Sequence, residues 1–268
     1  MKRIPVAFQF LTIIPIRIGG RLSEKDISLS AVFFPLVGFV QGAVLAAISF
    51  FSLKAFSPAV TSILVLAAYL LINGAFHQDG LSDTVDALSV KSSGDTEQDR
   101  ERRLAVMRDP TAGPIGVVTV VVNLLLKFVL LDEIFRAQGY SALNPVVLLT
   151  PAIAAWSMTL MMPGAKSARN DGLGKIFLGR LHARHACLAS ILLICLAGIG
   201  CLMSGYQGLE GAGRYLLFFF IASVAALCGS LVLKRLCSVR FAGLTGDNLG
   251  AIHEAAETVV LITATLCF

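Results

Sequence analysis

Three carboxylates, Asp79, Asp83 and Asp86, stand at i, i+4 and i+7 in the run Phe76-His77-Gln78-Asp79-Gly80-Leu81-Ser82-Asp83-Thr84-Val85-Asp86-Ala87. On a helix that spacing puts all three on one face. Stacked anions repel unless a cation occupies the stripe or water fully solvates it. Oxygen-only ligands suit a hard ion such as Mg2+, which keeps part of its water shell and shares the phosphate oxygens of a substrate. The stripe therefore points to phosphoryl or diphosphate chemistry; a solvated acidic first turn is the plainer alternative. His77, at the head of the run, can act as acid, base or phosphate donor, or serve as an ordinary hydrogen-bonding residue at a helix end.

Other polar groups are set among glycines and prolines. Arg108 and Asp109 precede Pro110-Thr111-Ala112-Gly113-Pro114, where Arg108 could hold a phosphate. The loop Ala168-Arg169-Asn170-Asp171-Gly172-Leu173-Gly174-Lys175 could cradle an anion through its backbone amides, but it lacks the spacing of a nucleotide-binding P-loop. Asp247, in Gly243-Leu244-Thr245-Gly246-Asp247-Asn248, is a candidate second metal-side or base carboxylate. His253, Glu254 and Glu257 follow inside an apolar run, where ionisable groups are costly enough to suggest function. Glu254 and Glu257 share a face and either ligate a cation, accept a proton or reach for the interface. Lys127, alone in another apolar run, is a candidate partner for one of them. The mixed-charge run Asp95–Arg103 reads as a solvated surface.

The elements that must position these groups are membrane helices. The chain of 268 residues is 56% hydrophobic and 15% charged, with mean hydropathy +0.79, whereas a soluble domain is about 25% charged. A soluble enzyme and a disordered chain are both excluded. Seven apolar runs, near 31–53, 58–76, 114–135, 144–162, 187–205, 214–233 and 249–267, approach the length of a span. No strand-period alternation suggests a barrel. The expected fold is an all-α polytopic bundle of about seven transmembrane helices in one domain, 1–268. Ile4–Ile16 is too short to span and should lie in the interface or re-enter the membrane. Gly38-x3-Gly42 reads as a close-packing helix face. The six cysteines form no C-x-x-C pair and indicate neither disulfide nor zinc.

With the N-terminus inside, 18 of the 22 lysines and arginines fall in the inner segments, which predicts a cytoplasmic N-terminus and site loops and an external C-terminus. The net charge of +5 then reflects orientation in a lipid bilayer and not nucleic-acid binding.

Taken together, residues 76–87, 107–116, 168–174 and 244–251 resemble the motifs of the cobalamin synthase (adenosylcobinamide-GDP ribazoletransferase) family, in the right order across nearly the whole chain. Phe10-Leu11-Thr12 to Pro15 and Phe34–Gly38 are similar to that family as well. The resemblance implies a reaction in an inner membrane of a prokaryote: a hydroxyl of alpha-ribazole, or of its phosphate, attacks the phosphorus attached to cobinamide and GMP leaves, with Mg2+ required. It would assign Asp79, Asp83 and Asp86 to the metal and to catalysis, with Asp247. His77, Arg108, Asp109, Arg169, Gly172, Glu254 and Glu257 would contact substrate. A homo-oligomer, or a complex with other corrinoid enzymes, is compatible with this reading. Two positions depart from the usual pattern: Ala87, where glycine often ends the acidic motif, and Ala155, where a charged residue is frequent. The rival readings are a lipid-accepting membrane transferase and a cation transporter built on Lys127, Glu254 and Glu257.

Overall fold

The computed structural model describes residues 2–138, 144–169, 171–172, 174–203 and 208–267. They form α1 (Arg3–Leu11), α2 (Glu24–Ser30), α3 (Phe34–Ser52), α4 (Pro58–Asn73), α5 (Phe76–Leu88), α6 (Thr96–Val106), α7 (Pro114–Gln138), α8 (Pro145–Met161), α9 (Gly174–Phe177), α10 (Ala183–Met203), α11 (Gly208–Phe241) and α12 (Gly246–Cys267). There is no strand among the described residues, as expected for lipid, where a helix satisfies its own backbone.

Each of the seven apolar runs falls on helix among the described residues, and there five segments are long and apolar enough to cross a membrane: Glu24–Ser52 taken as one unit, α7, and most or all of α10, α11 and α12. The all-α membrane bundle is as expected, and the described residues give five or six such spans without confirming seven. α4 has 16 residues, about 24 Å, and the chain then turns by 87° into α5; counted as one broken span, the pair raises the number to six. α8 has 17 residues and is buried along nearly all of its length, so its neighbours and not the bilayer set how long it must be.

Burial sorts the helices into two layers. The apolar windows of α7, α10 and α11 are only 22–28% buried and carry outward Val118, Val122, Ile194, Phe220 and Val232, a surface that fits lipid. α8 and α12 form the interior, with α3 against α8. A Cβ on Gly38 or Gly42 would collide with the carbonyl oxygens of Pro151 and Leu148, so the two backbones approach as closely as the Gly-x3-Gly spacing suggests. A second apolar cluster, with Phe34, Met158, Phe177, Phe241 and Leu249, closes one end of the bundle. α1 lies over that end: Val6, Ala7 and Leu11 are buried, Gln41 Nε2 donates to the Leu11 carbonyl at 3.0 Å, and Ile13 N to the Ile72 carbonyl at 2.9 Å.

Candidate active site

The site is assembled by one bend and two glycine contacts. After α4, Gly74 (φ 64°) and Ala75 (φ 56°) both adopt the left-handed conformation, and Asn73 Oδ1 accepts from Ala75 N at 2.8 Å. The conformation is unfavourable for alanine by about 1–2 kcal/mol, and packing must supply the difference. The bend sends α5 across the end of the bundle instead of along it. There Gly80 lies against the Asp247 backbone, and Gly250 against His77 and Gly80; a Cβ on Gly80 would stand 2.7 Å from the Asp247 carbonyl oxygen. Asn248 Nδ2 adds a hydrogen bond to Thr84 Oγ1 at 3.1 Å.

The start of α12 is fixed just as firmly. Thr245 N donates to Asn248 Oδ1 at 3.0 Å and Asn248 N to Thr245 Oγ1 at 3.2 Å, a reciprocal cap. Before it, Leu244 N donates to the Lys166 carbonyl and Ala168 N to the Leu244 carbonyl, both at 2.8 Å. This short parallel bridge brings the loop bearing Arg169 to the loop bearing Asp247. Arg169 Nη1 lies 3.3 Å from Asp247 Oδ2, while Arg169 Nε and Nη2 are buried and have no acceptor among the described residues. Donors left in that state are expensive unless a ligand takes them.

Asp79 is exposed and Asp83 partly buried. Burial and the charges of Asp79 and Asp247 push the Asp83 carboxyl up to about 6. Mutual repulsion of this kind is what a bound hard cation relieves, and the donor set is all oxygen. Asp86 behaves differently. Its two oxygens accept from Gly113 N and Gly116 N, each at 2.8 Å, at the start of α7. Asp79, Asp83 and Asp247 are thus near enough across α5 and α12 for their charges to act on one another, although of the acidic stripe and Asp247 only Asp247 lines the cleft, while Asp86 ties α5 to α7.

A cleft of about 240 Å³ opens beside Asp247 and Arg169, with His77, Asp171, Gly172 and Lys175 on its polar side. Its other wall is apolar, where Phe10 meets Phe177 edge-on at 4.7 Å. Gly172 takes φ 84°, a left-handed turn that glycine suits. Asn170 and Leu173 of that loop lie outside the described residues. Arg108 sits at the exposed edge, 3.4 Å from Asp171. Asp109 turns back on its own chain, accepting from Thr111 N and Oγ1, which hold its carboxyl below the usual range.

Glu254 and Glu257 do not line this cleft. Lys127 Nζ sits between them, 2.7 Å from Glu254 Oε2 and 2.5 Å from Glu257 Oε2, all three fully or nearly fully buried. The pairing of Lys127 with the carboxylates of the last helix is as the sequence suggested. Gln78 Nε2 and Asn123 Nδ2 each donate to Glu254 at 3.0 Å, linking α5, α7 and α12. His253, Glu254 and Glu257 bring their ligand atoms within 4.8 Å, but the lysine ammonium already supplies the cation there. His77 stacks on His253 at 4.0 Å and so joins the cleft to this network.

Sequence reasoning missed Gln78 and Asn123, and the aromatic wall of Phe10, Phe76 and Phe177. The signals for these are an amide beside His77 at the head of the acidic run, an asparagine inside the apolar run of α7, and phenylalanines near the ends of apolar runs.

A family model described as cobalamin-5-phosphate synthase matches residues 3–265. Relatives named adenosylcobinamide-GDP ribazoletransferase include those of Thermodesulfovibrio yellowstonii (31% identical over 262 residues, 98% of this chain and 95% of the relative), Geotalea daltonii (34% over 258 residues, 96% and 94%) and Pseudomonas fluorescens (34% over 261 residues, 97% and 98%). No solved structure matches.

Proposed function

Because this chain belongs to the cobalamin-5-phosphate synthase family, we propose that it acts as an adenosylcobinamide-GDP ribazoletransferase, the activity its relatives are named for. A hydroxyl of alpha-ribazole, or of its phosphate, attacks the phosphorus next to cobinamide. The bond from that phosphorus to the GMP oxygen breaks, and GMP departs. The observation that carries this reading is Asp247 paired with Arg169, whose other nitrogens are unpartnered among the described residues, on the wall of one cleft, with Asp79 and Asp83 of α5 near enough for their charges to act on Asp247 and on each other.

Asp79 and Asp83 would hold Mg2+ on the diphosphate. Bound there, the ion would neutralise charge developing on the leaving oxygen. Arg169 donates to a phosphate oxygen with the nitrogens that lack an acceptor, and Asp247, held beside it, takes the proton of the attacking hydroxyl. Asp86 keeps α5 in register with α7, and the Phe10–Phe177 wall offers an apolar face to the aromatic base of ribazole. We further place this end of the bundle in the cytoplasm of a prokaryotic inner membrane, supported by the inner-segment lysines and arginines.

The test is purified protein in lipid, given adenosylcobinamide-GDP and alpha-ribazole, beside a reaction offered a CDP-activated lipid. Release of GMP with formation of the joined corrinoid, and no turnover of the lipid donor, is the expected result. Turnover of the lipid donor alone would replace this reading with the lipid-transferase one.

A further inference from the structure

Away from the cleft, a groove of about 490 Å³ runs between α6 and the last turns of α11. Arg103, Arg235 and Arg240 line it, with Asp99 as its one acidic wall residue. The Asp99 carboxylate is already engaged: it accepts from Ser92 Oγ at 2.5 Å and from Ser93 N and Oγ at 2.8 Å, contacts that hold its carboxyl down to about 2. Arg103 is only 4% exposed, its nearest contact with Asp99 is 3.9 Å, and its buried Nε has no acceptor among the described residues. Arg235 and Arg240 are exposed, with no acidic partner among the described residues. Three guanidinium groups therefore face one space with a single carboxylate that the preceding loop has claimed.

The rest of the groove is apolar and continues outward. Val232, Leu236 and Val239 stand at i, i+4 and i+7 on α11, 67%, 39% and 70% exposed, as one stripe along a helix whose apolar window is only 28% buried. The candidate span in α11 runs for 31 residues from Gly211 to Phe241, whereas about 20 cross the hydrocarbon, and Lys234, Arg235 and Arg240 all fall in about its last two turns. Its final turns consequently stand at the level of the lipid headgroups, with Arg235, Val239 and Arg240 in the last two turns and Val232 one turn nearer the hydrocarbon. A free phosphate would use the arginines and leave the stripe without a role.

We propose that this groove binds an anionic phospholipid, its headgroup phosphate on Arg103, Arg235 and Arg240, its glycerol region against Val239 and Leu236, and an acyl chain running past Val232 along the exposed face of α11. Basic pockets beside membrane helices recognise acidic headgroups by this combination. The site is independent of the transfer reaction proposed above and uses none of its residues.

The experiment is native mass spectrometry of the full chain, delipidated in detergent and titrated with phosphatidylglycerol or phosphatidylcholine, for wild type and the Arg235→Gln/Arg240→Gln variant. Wild type should retain phosphatidylglycerol in preference. The variant should bind it about 30-fold more weakly, a factor of about five for each arginine at a membrane surface, with unchanged thermal stability. Equal retention of the two lipids, or undiminished phosphatidylglycerol binding in a folded variant, would overturn the proposal. So would displacement of the lipid by inorganic phosphate at comparable concentration, which would make the groove a soluble-anion site. Should the variant not fold, the wild-type comparison of the two lipids still decides.

Discussion

Replacing Gly80 by alanine should separate catalysis from folding. The added Cβ would lie 2.7 Å from the Asp247 carbonyl oxygen and 3.2 Å from its Cα, about 0.7 Å short of ordinary contact at 3.4 Å. Both neighbours are backbone atoms at the capped start of α12, which cannot rotate aside. α5 must therefore move by most of that distance, carrying Asp79 and Asp83 away from Asp247 and Arg169. Overpacking costs about 1–3 kcal/mol, and alanine returns about 1 kcal/mol of helix propensity, so net destabilisation stays below about 2 kcal/mol. Catalysis is less forgiving, because a misplacement near 1 Å costs up to about 100-fold. We expect kcat for ribazole transfer to fall roughly 10- to 100-fold in protein of near-normal melting temperature. Gly198→Ala, in α10 with nothing within 4 Å of its would-be Cβ, is the control and should be fully active. Wild-type kcat in Gly80→Ala would refute the claim that the α5–α12 crossing sets the site.

Three further outcomes can be checked separately. Lys127→Met leaves Glu254 and Glu257 buried without their cation and should cost about 3–5 kcal/mol; adding Glu254→Gln and Glu257→Gln should restore most of the loss in thermal unfolding. Arg169→Gln exchanges two charge-assisted donors for one neutral amide and, with the net loss of one bond worth about 1.5–3 kcal/mol, should lower kcat/KM for the GDP-linked donor roughly 10- to 100-fold, with little change in stability. Acidification acts through Asp83, whose folded value of about 6 lies above its ordinary one. Between pH 6 and 4 the folded chain binds the extra proton, so this group favours folding as pH falls, while Mg2+ affinity at pH 5 should drop about tenfold through competition for one carboxylate. Paired melting and Mg2+ titrations would show the two opposite slopes, and parallel slopes would contradict them.

Much of the fold is legible in the sequence because lipid forces each apolar run into a helix, and Gly38 and Gly42 mark the tightest contact among them. Lys127 and the glutamates of α12 were readable as partners because a buried lysine needs an anion. The 87° bend was not, since alanine at position 75 gives no local sign of a left-handed residue and only packing holds it there. The same is true of Asp86: its spacing joins it to Asp79 and Asp83, while its oxygens go to amides of Gly113 and Gly116 some thirty residues on. Glu254 and Glu257 share the face the spacing gives them, but that face looks into the bundle. The charge run ending at Arg103 read as plain surface because the helix that completes its groove lies more than a hundred residues away.

The central claim is that Asp79 and Asp83 hold a magnesium ion on the diphosphate opposite Arg169. Its most direct test is the Mg2+ dependence of single-turnover GMP release from adenosylcobinamide-GDP and alpha-ribazole, for wild-type protein and Asp83→Asn in the same lipid. The account predicts that wild type needs Mg2+, and that Asp83→Asn, folded and able to bind donor, requires at least about tenfold more of it and turns over far more slowly. Release from wild type without any divalent ion, or an unchanged Mg2+ dependence in Asp83→Asn, would contradict it.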